Sequence, residues 1–370
     1  MQTVNAKAAD ANHAALAGAC PPRCVLMPRD IDPAGPVLGE VLYQLQGRSM
    51  GTSWCVKFYG PRGLDTAPLQ AGLEAGLAEV VARMSPWETE SDLNRFARTP
   101  SGSWLRMSQS TWEVLGHALQ VARASGGAFD PTAAALVRAW GFGAGKRHDE
   151  PGFALPEEPA WGERLGQFLS WQDLTLREAS RELWQPGELE LDFCGIAKGY
   201  AVDRLSAYLL ACGLPHHLVE VGGELRGCGR KLDGQPWWVQ LEPVPDSWGL
   251  PETVLALHGL SVATSGDYRR SYVDAQGQRR SHTLDPRRRA PVAHGLASVS
   301  VVHSSCCLAD AWATALLVLG PQAGPALATQ QGLAALFVIR EDGPSWVEPN
   351  CGTEHWREVQ SPALRAMACD

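Results

Sequence analysis

Apolar positions in this chain fall into short alternating runs that give way, repeatedly, to a three-to-four spacing. Residues 41–46 and 53–59 (SWCVKFY) read as strands on either side of a glycine-containing turn. Leu69, Leu73, Val80 and Met84 recur at helical spacing and predict a helix over 67–84. Ser110 and Glu113 form a capping-box pattern that opens a helix running to about Ala124. Another helix is predicted after Gly195, closing at Gly213, a C-cap signal. Strands are expected near 217–221, 236–242, 253–258 and 297–303, the last with Ala297, Val299 and Val301 on one face. Residues 308–319 and 322–331 read as helical and 333–340 (LAALFVIR) as a strand. Residues 143–165, rich in Gly, Pro and charge, read as a surface insertion. The order predicts a mixed α/β or an α+β fold, with helices and strands interleaved but hairpin-like in the second half.

Composition narrows the class. With 370 residues, 45% hydrophobic and 19% charged, the chain can bury a substantial core. No apolar run reaches the roughly 18 residues of a membrane span. The best stretch, 308–319, is shorter and carries Asp310. A formal charge of −8 argues against a non-specific binder of nucleic acid or anionic membrane. Ten cysteines are dilute for this length; Cys20 and Cys24 lack a second pair at finger spacing, so buried thiols in a reducing compartment are expected. Residues 1–35 read as a mobile polar arm, 36–345 as the folded unit and 346–370 as a tail. LAGAC at 16–20 resembles a lipoprotein cleavage site, but Asp10, Asn12 and His13 stand where an apolar segment belongs. A cytoplasmic chain is expected, with lipoprotein-like export as the alternative.

Three segments carry candidate chemistry. Asp310 and Thr314 are four apart, so their oxygens leave one helix face a turn apart, a hard-oxygen pair suited to Mg²⁺. The competing reading has each oxygen bonded to nearby backbone. In LDFCGIAKGY (191–200), Asp192 precedes a glycine turn and Lys198 falls in the first turn of the next helix, an arrangement that suits phosphate. The P-loop spacing is absent. In SGGAFDPT (125–132), two glycines permit close backbone approach and Asp130 precedes Pro131; an ordinary Asp cap is the alternative. His282 and Asp285 (SHTLDP) and the glycines of VGGE complete the set.

Read in order, MGTSW (50–54), MSPWETESDLN (84–94), SGGAFDPT with WGFG (125–143), LDFCGIAKGYAVD (191–203), VGGE (221–224), ATSGDY (263–268), HTLDP (282–286) and ADAWATAL (309–316) strongly resemble the ApbE family of flavin transferases. The resemblance covers about residues 43–340. It implies a T-fold-like α+β architecture that binds FAD and Mg²⁺, cleaves the FAD pyrophosphate and links FMN to a Ser or Thr of a target redox protein, releasing AMP. By resemblance the metal ligands fall on the carbonyl of Gly195, the carboxylate of Asp310 and the hydroxyl of Thr314. FAD contacts fall on Met50, Trp87, Ala128, Phe129, Asp130, Asp192, Lys198 and Leu284. His282 is the implied proton-handling group, with Asp285 close by.

The chain departs from the family pattern in two places. DPRRRA stands where D-P-x-T-G is common, and Ala313 stands where some relatives carry a second carboxylate, which favours one Mg²⁺. An FAD pyrophosphatase and a non-catalytic flavin carrier are the competing functions. Neither a nucleic-acid partner nor a membrane span is expected.

Overall fold

The structure is a computed structural model and describes residues 23–28, 30–153, 155, 169–245, 247, 250–275, 277–341 and 356–369. Eight strands, here β1 to β8, form the main sheet: β1 (Glu40–Ser49), β2 (Thr52–Pro61), β3 (His217–Val221), β4 (Glu224–Cys228), β5 (Leu260–Gly266), β6 (Leu296–His303), β7 (Ala334–Arg340) and β8 (Trp356–Gln360). Every neighbouring pair is antiparallel, and the order across the sheet follows the order along the chain. Local turns therefore set the register at two hairpins. Ser49 faces Thr52 across Met50 and Gly51, both at positive φ, and Val221 faces Glu224 across Gly222 and Gly223, also both positive. Two left-handed central residues give a turn whose twist matches that of the flanking strands.

The long excursions between strands hold the helices. Between β2 and β3 run α1 (Ala67–Met84), α2 (Gln109–Ala124) and α3 (Ala197–Ala211); between β6 and β7 lies α4 (Cys306–Gln330). α1 spans the range expected from its apolar spacing and buries Leu69, Leu73, Leu77, Val80 and Met84. α2 is capped by Ser108, whose side chain accepts from Thr111 N–H, so the helix begins two residues before the predicted Ser110–Glu113 capping box, which does not form. α4 is interrupted at Gly320 (φ 83°, ψ −175°), which divides it where the sequence predicts two helices. By length and composition α4 could cross a membrane, yet it is the central helix of the core. A helix apolar on all sides requires a buried position.

Helices cover one face of the sheet. On the other lies a three-stranded sheet of Arg23–Leu26, Glu252–Leu257 and Trp237–Gln240, whose Leu26, Leu255, Leu257 and Trp237 pack with Val262, Val302 and Leu336. This corrects two expectations. β6 is buried on both faces, so Ser298 and Ser300 are inside as well, and Ser300 shares a 2.8 Å hydrogen bond with Thr264. The arm (1–35) and tail (346–370) are not wholly peripheral: residues 23–26 pair in parallel with 252–255, and β8 pairs with β7. Extended apolar segments next to an open sheet edge gain backbone hydrogen bonds by joining it. Most of the arm, and 342–355, lie outside the described residues.

Residues 154 and 156–165 of the predicted insertion also lie outside them; its first part is largely exposed but is held to the fold through His148. His148 stacks on Tyr272 with ring centroids 4.4 Å apart, and Phe142 lies edge-on to His282 at 6.3 Å.

Candidate active site

The site forms where the start of α3 meets the start of α4. Asp203 locks the junction: its carboxylate accepts from the backbone N–H groups of Cys306 and Cys307 (both 3.0 Å) and from the Ser305 hydroxyl (2.8 Å). An anion there satisfies two otherwise orphaned donors and suits the positive end of the helix. One turn along each helix, Gly199 allows near contact. A Cβ at Gly199 would lie 2.2 Å from the Cys306 carbonyl oxygen and 2.9 Å from Asp310 Cβ.

That closeness directs the carboxylate. Gly199 N–H donates to Asp310 Oδ2 at 3.0 Å. Asp310 is 4% exposed, and burial raises its pKa against the opposing pull of Lys198 and this hydrogen bond. Thr314 is half-buried; its hydroxyl lies 3.1 Å from Ser265 Oγ on β5 and faces Gly195, where a Cβ would lie 2.9 Å from Thr314 Oγ1. The three residues implied as metal ligands are therefore brought together. A buried carboxylate, a half-buried hydroxyl and a backbone carbonyl are hard oxygen donors, and that set fits Mg²⁺.

Lys198 supplies the positive charge. Its ammonium pairs with Glu224, the first residue of β4, and its chain passes beside Gly222. Burial works against that ammonium, but Glu224 and Asp310 outweigh it and lift its pKa above the ordinary lysine value. Glu224 is 1% exposed, and burial pushes its carboxyl up to about 7. Glu224 is not among the candidates that the sequence offers: beside the glycines of VGGE, a glutamate at a hairpin gives no sequence signal that distinguishes a buried position from an exposed one.

His282 is half-buried, and burial pulls its pKa down to about 4. Nδ1 lies 3.0 Å from the Arg270 carbonyl oxygen, which can only accept. Nδ1 therefore carries the proton and Nε2 is left as the base. The positive charges of Arg270 and Lys198 also act on this imidazole. Asp285 does not orient it. Both Asp285 oxygens bond Arg287, through Nε (2.9 Å) and Nη2 (2.8 Å), and the Arg287 backbone N–H adds a third bond (3.0 Å). The expected proximity of Asp285 to His282 gives no hydrogen bond among the described residues. A turn carboxylate flanked by the arginine two residues on is satisfied locally.

The implied FAD contacts form a less continuous set. Asp192 N–H donates to the Pro131 carbonyl (2.8 Å), tying segment 128–132 to segment 191–195. Asp192 Oδ1 accepts from Cys194 N–H (2.7 Å). Asp130 serves as a local cap, accepting from the Thr132 N–H (2.8 Å) and hydroxyl (2.6 Å), and burial raises its pKa. Phe129 lies in the main core; Ala128 packs on Val292 and Val318. Leu284 joins Leu136 and Trp140 in a small cluster. Met50 sits at the β1–β2 turn, half-buried against the core. Trp87 is 60% exposed on a loop pinned by Asn94, whose amide donates to the carbonyls of Pro86 (2.9 Å) and Glu88 (2.8 Å). A large exposed ring on a held loop is suited to stacking on a flat ligand.

The profile of the ApbE family matches residues 50–337. An FAD:protein FMN transferase of Vibrio cholerae is 33% identical over 300 residues, 80% of this chain and 87% of that one. One from Haemophilus influenzae is 31% identical over 308 residues, 80% and 86% of the two chains. The crystal structure of Pseudomonas stutzeri flavinyl transferase ApbE, in its apo form, superposes with a TM-score of 0.76 at 33% identity, covering 90% of this chain and 98% of that one. By profile, by sequence and by fold, this chain belongs to the ApbE family.

Proposed function

We propose that this chain is an FAD:protein FMN transferase that moves FMN from FAD to a Ser or Thr hydroxyl of a target redox protein, using Mg²⁺ and releasing AMP. The activity is the one its relatives are named for. The observation that carries the finer reading is the convergence of Asp310, Thr314, Gly195 and Lys198 on the junction of α3 and α4.

In the transfer, the acceptor hydroxyl oxygen attacks the FMN phosphorus, the bond from that phosphorus to the oxygen bridging to AMP breaks, and AMP leaves with the bonding pair. The hydroxyl proton passes to His282 Nε2, a neutral base at ordinary pH. Lys198 offsets phosphate charge, and Trp87 stacks on the flavin. Asp310, Thr314 and the Gly195 carbonyl hold Mg²⁺, which when bound offsets pyrophosphate charge and steadies the leaving group. Asp285 shapes the turn after His282 rather than handling the proton.

A single folded unit that takes in residues 23–26 and β8 beyond the expected 36–345, and a cytoplasmic site of action, are parts of the same proposal. The second is supported by eight free cysteines among the described residues. Fractionation of cells producing the full chain tests it.

The deciding experiment incubates the protein with FAD, Mg²⁺ and an acceptor peptide containing Ser or Thr, followed by mass spectrometry. Transfer gives AMP and a peptide heavier by one FMN. Free FMN with AMP would indicate a pyrophosphatase, and intact FAD a carrier.

A further inference from the structure

Glu224 is buried beside the site, and neither the metal set nor the proton transfer uses it. One of its oxygens contacts the Lys198 ammonium; the other, Oε2, makes no hydrogen bond. A buried carboxylate oxygen without a partner loses its hydration and gains nothing in return, so the position demands a reason. Lys198 contacts Glu224, and it also feels the charge of Asp310, whose carboxylate accepts from the N–H of the next residue, Gly199. Asp310 in turn feels both Lys198 and Arg269. Arg269 pairs with Glu242 and leaves Lys198 to Glu224.

We propose that Glu224 is a positioning residue that neutralises and holds Lys198, so that the ammonium does not occupy Asp310 and exclude the divalent cation. The proposal rests on the metal reading above. Asp310 accepts from Gly199 N–H through Oδ2, and any further donor competes with a cation for its remaining lone pairs. An ammonium with three donors and no other carboxylate would take that place. With Glu224 present, Lys198 stays within reach of a phosphate while the charge beside Asp310 is balanced.

The test measures Mn²⁺ uptake by the FAD-free full chain, from the loss of the free-ion paramagnetic resonance signal, with circular dichroism as the fold control. Glu224→Gln is expected to weaken uptake about tenfold, as the freed ammonium turns to Asp310. Adding Lys198→Met to Glu224→Gln is expected to restore uptake to near the wild-type level. Lys198→Met alone, which leaves Glu224 in place, is expected to keep uptake at or above the wild-type level, and this arm stands even if Glu224→Gln fails to fold. Unchanged uptake in Glu224→Gln, or a loss of uptake in Lys198→Met, overturns the proposal. A double variant as weak as Glu224→Gln overturns it too, because Glu224 would then be a ligand in its own right. Wild-type protein that takes up no Mn²⁺ at millimolar concentration sinks the metal reading itself, whatever the variants do.

Discussion

The backbone N–H of Gly199 reaches Asp310 Oδ2 across 3.0 Å because no side chain stands between the two helices that carry them. Helix contact and site assembly are thus one event. Whatever pushes α3 from α4 also removes the carboxylate from its place.

Gly199→Ala tests that coupling. The added methyl would meet the Cys306 carbonyl oxygen at 2.2 Å, a backbone atom that cannot rotate away. Overpacking of this kind costs about 1–3 kcal/mol. Urea unfolding should show the loss, and flavin transfer should fall with it. A variant as stable as the wild type would mean that the helices separate at little cost.

Asp310→Asn separates chemistry from packing. An amide oxygen can still accept from Gly199 N–H, so the melting temperature should change little. The negative charge is lost, and transfer should drop about 10²–10³-fold. Wild-type turnover at limiting Mg²⁺ would remove Asp310 from the metal site.

His282 should titrate far below an ordinary histidine, near pH 4 in the FAD-free protein. Its folded pKa lies below its unfolded one, so its contribution to stability is complete above about pH 6.5 and is lost as pH falls through the folded value. Nuclear magnetic resonance of the ring, assigned with His282→Ala, reads the midpoint directly; a value near 6.5 would contradict the buried neutral base. His282→Ala should slow transfer about 10²–10⁴-fold at neutral pH.

Trp87→Ala should leave stability nearly unchanged, since the ring is 60% exposed. FAD affinity should fall about tenfold, the equivalent of roughly 1.4 kcal/mol of stacking. Flavin fluorescence titration measures both the affinity and the quenching by the indole. Equal affinities would place the isoalloxazine ring elsewhere.

Local patterning in the sequence was enough for α1, the β1–β2 hairpin and the Gly320 break, because apolar spacing and left-handed glycines act over a few residues. The Asp310–Thr314 pair was visible for the same reason: four residues along a helix is one turn. Motif order carried the family, and with it Gly195 and Lys198. Three things depended on contacts between residues far apart in the chain. β6 reads as a one-sided strand until residues 23–26, 237–240 and 252–257 cover its second face. Asp285 reads as a partner for His282 until the turn closes and Arg287 takes both its oxygens. Glu224 reads as one more surface acid until packing buries it against Lys198. Spacing along the chain determines which side chains share a face, but burial and charge pairing depend on which faces meet, and only the folded chain decides that.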